Sequence, residues 1–241
     1  MEKNDTINNQ KEEKHQKDAK TEKTDPKLKT EKREFKGDGY SFSYEVITEG
    51  GGSAKEKIQA HLTKSLAGDG HNYKNIEDFE QALKSKEYGV KSEYCENASR
   101  EFNSHISMTG KVVSLTVNEY TFECGAHGNG YTSVKHFHLN TGKEITLEDI
   151  LKDKKRFTNQ VEKQFCADTK LEKNNSAYVN AGYEGFAGGF DLAKNYSFTK
   201  NGIIFIYNSY EVGPYTLPPF DVTVTYDKVK PYMKEDNPLG I

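Results

Sequence analysis

The first 33 residues hold four apolar side chains, Met1, Ile7, Ala19 and Leu28, against ten Lys/Arg and eight Asp/Glu. Such a stretch cannot bury enough apolar area to offset the entropy of ordering. Residues 1–33 are therefore expected to be a disordered, charged tether, and whatever folds must come from Phe35 onward, where aromatic and β-branched residues become frequent. Averaged over all 241 residues, 34% hydrophobic and 29% charged, this split disappears.

The folding part alternates two periods. Tyr40, Phe42, Tyr44 and Val46 recur at period two and predict a half-buried strand over 34–47. After Gly50-Gly51-Gly52, Ser53 and Glu56 have the spacing of a capping box, and Ile58, Leu62 and Leu66 predict a helix over 54–67. A second helix is expected over about 76–87, with Ile76, Phe79 and Leu83 on one face. Period two returns with Phe102, Ile106 and Met108, turns at Thr109-Gly110, and continues in Val113, Leu115 and Val117. The apolar phase then slips to Tyr120 and Phe122, which predicts a β-bulge near Asn118. A strand over Tyr131–Leu139 follows the glycine loop 125–130. Thr146 and Asp149 open a helix predicted to run through Phe157, Val161 and Phe165 to about Thr169. After a glycine-rich stretch over 172–190 come strands at Tyr196–Phe198, Ile203–Tyr207 and Val222–Tyr226, with Asn201-Gly202 as a hairpin signal and a short helix over Lys228–Met233. Strand, helices, strands, helix and strands in that order predict an α+β fold, an antiparallel sheet with packed helices. The expected division is a smaller N-terminal α+β domain over 34–110 and a C-terminal one over 111–241, with a single shared sheet left open.

Several function classes have no support. Net charge is −3 with mixed signs, and no basic block interleaves with aromatics, so no nucleic-acid partner is expected. No apolar run approaches the ~20 residues of a membrane span. No Gly-x-Ser-x-Gly or phosphate-binding glycine loop occurs, and no cofactor is implied. Asp191, Glu184, Glu211 and Asp221 could in principle flank a sugar, but their spacing reads as solvated carboxylates. His136 and His138 share a strand face, with His127 across a loop. They could bind a metal for assisted hydrolysis, against the plainer reading of a polar strand face, and no metal is expected.

Two loops are more informative. Gly182-Tyr183-Glu184-Gly185-Phe186-Ala187-Gly188-Gly189-Phe190 sets aromatics among glycines outside any periodic element. Tyr183, Phe186 and Phe190 either present a binding surface or fold back under the loop. In Tyr210–Phe220 the prolines stiffen the loop and keep two or three aromatics presented at low entropic cost, with Pro214 and Tyr215 as the expected binding residues.

Gly125-Ala126-His127-Gly128, Thr141–Leu151, Asn201–Tyr207 and Tyr210-Glu211-Val212-Gly213-Pro214-Tyr215, in this order, resemble the C-terminal domain shared by RsiV-type anti-sigma factors and the non-catalytic part of PdaC-type peptidoglycan deacetylases. Tyr40 to about Phe102 resembles the smaller domain that precedes it. The resemblance implies a non-catalytic cell-envelope module outside the membrane. Its protein partner would be lysozyme-like and engaged by C-terminal loops; direct binding of peptidoglycan is the alternative. It makes the tether a spacer below a lipid or other N-terminal anchor, the only expected membrane contact. Met1 followed at once by a solvated tail fits a chain whose export signal has been removed; the plainer alternative is a cytosolic protein with a floppy N-terminus. This sequence departs from the family in having no sigma-binding segment and no deacetylase domain. Leu217-Pro218-Pro219 also stands where the family often has a glycine.

There are three cysteines, Cys95, Cys124 and Cys166. A hairpin turning at Thr109-Gly110 pairs Met108 with Lys111 and Ile106 with Val113. Carried outward, that register sets Cys95 opposite Cys124, a bridge an oxidising compartment would favour. Cys124–Cys166 is the rival pairing.

Overall fold

The computed structural model describes residues 28–68, 71–90 and 95–241. The expected disorder of residues 1–27 lies outside the described residues. The last part of the expected tether is ordered: Lys29–Gly37 is a strand, β1, paired antiparallel with β2 (Tyr40–Glu49). The single strand expected over 34–47 is thus a hairpin. Its first arm has almost no buried side chain and is held by the backbone ladder, which composition does not reveal. Arg33 adds an anchor, donating to the Glu80 carboxylate at 2.7 Å, the oxygen that also accepts from the buried Tyr44 hydroxyl at 2.8 Å.

Helices α1 (Ala54–Ala67) and α2 (Ile76–Lys84) carry the chain across one face of the sheet to β3 (Ser99–Thr109). A helical crossover permits a parallel pairing, and β2 and β3 do run parallel. The other pairs are antiparallel, through β4 (Val112–Phe122) and β5 (Asn129–His138), in the order β1-β2-β3-β4-β5. Ile58, Leu62, Leu66, Phe79 and Leu83 meet Phe42, Tyr44, Phe102, Ile106, Val113 and Leu115 in the first core. The capping box expected at Ser53 is not formed: its hydroxyl donates to the Asn140 carbonyl instead.

The β3–β4 hairpin differs from its predicted register. Thr109 pairs with Val112, Met108 with Val113 and Ile106 with Leu115, and the ladder runs unbroken to Ser99–Phe122. The turn residues are therefore Gly110 and Lys111, and there is no bulge near Asn118. The apparent phase slip has another cause. Val113, Leu115 and Val117 face the helices, while Val112 belongs to a second core behind the sheet. Strand β4 is two-sided, and Tyr120 lies on its second face.

Apart from Val112, that second core is built from residues after 140. The hairpin straddles residue 110, so one sheet serves both sides of the expected domain division. The carboxylate of Asp149 accepts from the Thr146 backbone N–H and hydroxyl at 3.0 and 3.1 Å, opening α3 (Leu147–Ile150). The helix predicted over 147–169 is broken. Leu151 is extended and bridges to Met233, and Asp153 caps a new helix, α4 (Lys154–Thr169), by accepting from the Arg156 N–H. After α5 (Asn175–Asn180), strands β6 (Asn195–Phe198), β7 (Gly202–Tyr207) and β8 (Phe220–Thr225) form an antiparallel sheet. Phe157, Val161 and Phe165 of α4 cover its inner face, against Phe205, Tyr207, Val222 and Val224. The chain ends with α6 (Tyr226–Val229) and a 3-10 turn over Lys230–Tyr232.

Candidate functional site

The two sheets meet back to back at one end and part at the other. The joint is polar. His136 of β5 is buried, with Nδ1 2.7 Å from the Ser114 hydroxyl and Nε2 2.9 Å from the Tyr196 carbonyl. A carbonyl can only accept, so Nε2 carries the proton and Nδ1 accepts from Ser114. The ring lies against Tyr196 and Phe198. Burial drives its pKa down to about 4. With both nitrogens engaged inside protein, His136 has no lone pair to offer, and the metal or hydrolase reading of the His136/His138 face is not supported. His138 instead accepts from the Asn140 N–H. Among the described residues no cluster of His, Cys, Asp or Glu has the makings of a metal site.

Two asparagines extend the joint along the outer edge of β5. Asn208 accepts from the Thr132 N–H at 2.7 Å and donates to the Thr132 carbonyl at 3.0 Å, while Asn195 accepts from the Val134 N–H. Side-chain amides thus satisfy backbone groups that another strand would otherwise take.

Beyond the joint the sheets enclose an open cleft of about 790 Å³. Thr116, Asn118 and Tyr120 of β4 form one wall, Ser197, Ile204, Ile206 and Asp221 of the second sheet the other, and Tyr131, Tyr215 and Pro218 stand at the rim. Exposure is 41% for Tyr120, 50% for Tyr131, 56% for Tyr210 and 45% for Tyr215, a concentration of exposed aromatics at one place. Tyr215 stacks face to face on His127, ring centres 3.5 Å apart and planes 7° from parallel. His127 in turn faces the Tyr210 hydroxyl at 3.5 Å. The stack joins the glycine loop 125–130 to the proline loop 210–219. Gly128 lies directly under the hydroxyl end of Tyr120, where a Cβ would displace the ring.

The glycine loop is also tied covalently. Cys95 and Cys124 form a disulfide with Cα atoms 5.3 Å apart, and Cys166 is free. The bridge lies past the end of the β3–β4 ladder, where Cys124 takes a left-handed conformation (φ 58°). Cys166 is half-buried, its sulfur 3.2 Å from the Tyr178 hydroxyl.

Of the expected surface aromatics, only Tyr215, with Pro214 exposed beside it, lies at the cleft. Phe186 is 1% exposed, so it is core and not surface. It packs with Phe165, Tyr178 and Tyr207. Phe190 and Tyr183 are half-buried around the same cluster. The 3-10 turn Glu184–Phe186 folds this loop inward. Sequence pattern alone does not mark Tyr120 or Tyr131 as site residues, whereas Tyr210 lies in the loop expected to present aromatics. In the sequence Tyr120 reads as one end of a bulged strand, and only the two-sidedness of β4 turns it into a surface residue.

Charge in the cleft is one-signed. Glu119 is held by Arg100, whose guanidinium also donates to the Leu66 carbonyl and the Tyr88 hydroxyl. Asp221 faces the cleft with no hydrogen bond or ion pair to any described residue, and desolvation by the surrounding walls raises its pKa. No Lys or Arg is among the described residues lining the cleft. The candidate carboxylates elsewhere serve the backbone: Glu211 accepts from the N–H groups of Asn208 and Lys194, and Asp191 from that of Leu192.

An α+β chain with two back-to-back sheets and a tyrosine-rimmed cleft is the class these observations define. Residues 145–227, which contain α3 to β8, match the family described as "Protein of unknown function (DUF3298)". The fold is shared with a DUF3298 family member from Bacteroides fragilis (TM-score 0.66, 18% identity, 90% of this chain and 98% of that one). It is shared too with a DUF3298 family protein from Pseudomonas aeruginosa (TM-score 0.62, 16% identity, 89% and 97%). No curated protein matches the chain.

Proposed function

We propose that this chain is a non-catalytic binding module of the cell envelope, held outside the membrane by an N-terminal anchor and recognising lysozyme or another wall-active protein. The observation that carries the reading is the His127–Tyr215 stack with Tyr120, Tyr131 and Tyr210 exposed around it. Aromatic side chains on a supported loop give large contact area for little lost entropy. The disulfide and the stack hold the two rim loops in place before any partner arrives. A disulfide of this kind suits an oxidising compartment, in keeping with the RsiV-type resemblance of Pro214-Tyr215 and its surroundings. Titratable groups near the cleft are either engaged, as Glu119 is, or isolated, as Asp221 is, which favours recognition over chemistry. Tyrosine faces also suit sugars, so peptidoglycan is the competing ligand. The test is retention of purified lysozymes and of isolated sacculi by the immobilised protein, with Tyr215→Ala in parallel. A lysozyme should be retained, and the substitution should weaken binding by ~1–3 kcal/mol, about 5- to 150-fold. Retention of sacculi alone, or equal binding by the variant, overturns the reading.

A further inference from the structure

The cleft combines three chemistries that rarely serve one ligand. Its floor on the second sheet is aliphatic: Ile204 and Ile206 point away from the core that Phe205 and Tyr207 fill, and both are only partly covered. Its rim offers the faces of Tyr120, Tyr131 and Tyr215. Across the ladder from Ile206 stands Asp221, a carboxylate without a partner among the described residues. We propose that the cleft seats an arginine or lysine side chain from a loop of a basic polypeptide. The methylene stem lies along Ile204 and Ile206, the cationic head reaches Asp221, and the tyrosine rings flank it.

Each part of the site fits one part of that side chain. Long basic residues bury an apolar stem while keeping the charged end solvated or paired. Aromatic faces attract cations through the ring quadrupole. An unpaired carboxylate gains a charge-assisted hydrogen bond from the incoming donor. Charge complementarity selects the occupant: the lining carries carboxylates and no Lys or Arg, and Glu119 is already satisfied by Arg100. A neutral glycan would find partners in Thr116, Asn118 and Ser197 of the walls, but it brings no cation to Asp221 and no methylene stem to the two isoleucines. The proposal rests on the reading that the partner is a protein, and the two can fail separately.

The probe is acetyl-Gly-Arg-Gly-amide, titrated into the full chain and followed by NMR of labelled tyrosine and isoleucine, with the citrulline analogue as the uncharged control. The arginine peptide should shift Tyr120, Tyr131, Tyr215, Ile204 and Ile206. The citrulline peptide should bind at least ~5-fold more weakly, as should the arginine peptide to Asp221→Asn. Binding should also weaken between about 50 and 300 mM salt. Asp221 is exposed and unbonded, so the variant is expected to fold, and an unchanged NMR spectrum away from the cleft confirms it. Equal binding of both peptides, no shift at the cleft, or shifts produced by chitotriose in place of the arginine peptide overturns the proposal. If lysozyme binding falls with Tyr215→Ala and ignores Asp221→Asn, the cationic subsite is wrong and the protein-binding reading stands. Cleft shifts with the arginine peptide but no lysozyme retention leave the cationic subsite standing and remove lysozyme as its partner.

Discussion

The buried joint between the sheets makes stability depend on pH in a way that can be worked out from one residue. His136 is neutral in the folded protein, its pKa lowered by burial to about 4 from the ordinary 6.5. In the unfolded chain it regains the ordinary value. Above about pH 6.5 neither state binds the proton, and the joint contributes fully. As pH falls, the unfolded chain takes up a proton the native state refuses, so stability drops. The loss is complete only near pH 4, where the native imidazole also protonates. The whole gap is worth about 3 kcal/mol, and by pH ~4.5 about 2.5 kcal/mol of it is gone. His61, whose pKa burial also lowers, adds a loss of the same sign, and the carboxylates add theirs at lower pH. Comparison with His136→Gln removes these shared contributions. Urea unfolding at several values between about pH 7.5 and 4.5 gives each stability by linear extrapolation. The variant should start less stable at neutral pH, and the difference from wild type should shrink by ~2.5 kcal/mol on acidification. Two parallel pH profiles would refute the assignment of a neutral, doubly bonded imidazole at this position.

Three further outcomes follow from particular contacts. Replacing both Cys95 and Cys124 with Ala frees a loop spanning 29 positions. The chain-entropy relation puts the cost near 3.5 kcal/mol, and a denaturation midpoint unmoved by the substitution would count against the bridge. Phe186→Ala should lower stability by ~3–5 kcal/mol while leaving partner affinity per folded molecule unchanged, as calorimetry and a binding titration would show; a pure affinity loss would return Phe186 to the surface. Gly128→Ala must push Tyr120 aside. It should reduce partner binding with little change in melting temperature, and binding indifferent to it would remove Tyr120 from the site.

The local signals that succeed are those settled by a few neighbouring residues. Helix α1, the pairing of Thr146 with Asp149, and strand β7 each follow from periodicity or capping within one or two turns of chain. The failures come where a distant element decides. Val112 and Val113 are adjacent and both buried because sheet and helices cover opposite faces of β4, and a pattern read for one face only takes Tyr120 and Phe122, on the second face, for the mark of a bulge. Leu151 leaves the helix because Met233 offers it a strand-like bridge from the far end of the chain. Phe186 resembles a surface residue among glycines until Phe165 and Tyr207 supply a pocket for it. Composition marks Lys29–Arg33 as unable to fold, since a backbone ladder leaves no trace in side-chain chemistry. The proline loop is legible as a presenter of Tyr215. Its stacking partner is not, because His127 reaches it only after two loops from different sheets converge.

The amide of Asn208 is also a point at which slow covalent chemistry would reach the fold. It both accepts from and donates to Thr132, so it must keep its nitrogen. The next residue is Ser209, whose small side chain does little to block attack of its backbone nitrogen on that amide; burial of Asn208 and its two bonds to Thr132 oppose the attack instead. Deamidation, in which that nitrogen displaces ammonia and water then opens the cyclic imide, would leave an aspartate or a backbone-lengthened isoaspartate, a carboxylate unable to donate to the Thr132 carbonyl. Such a change would remove one tie between the edge of β5 and the second sheet, on the side that borders the cleft, and leave Asn195 and His136 to hold the rest. By burying this one side chain the fold protects the seating of its second sheet from a covalent change as well as from solvent.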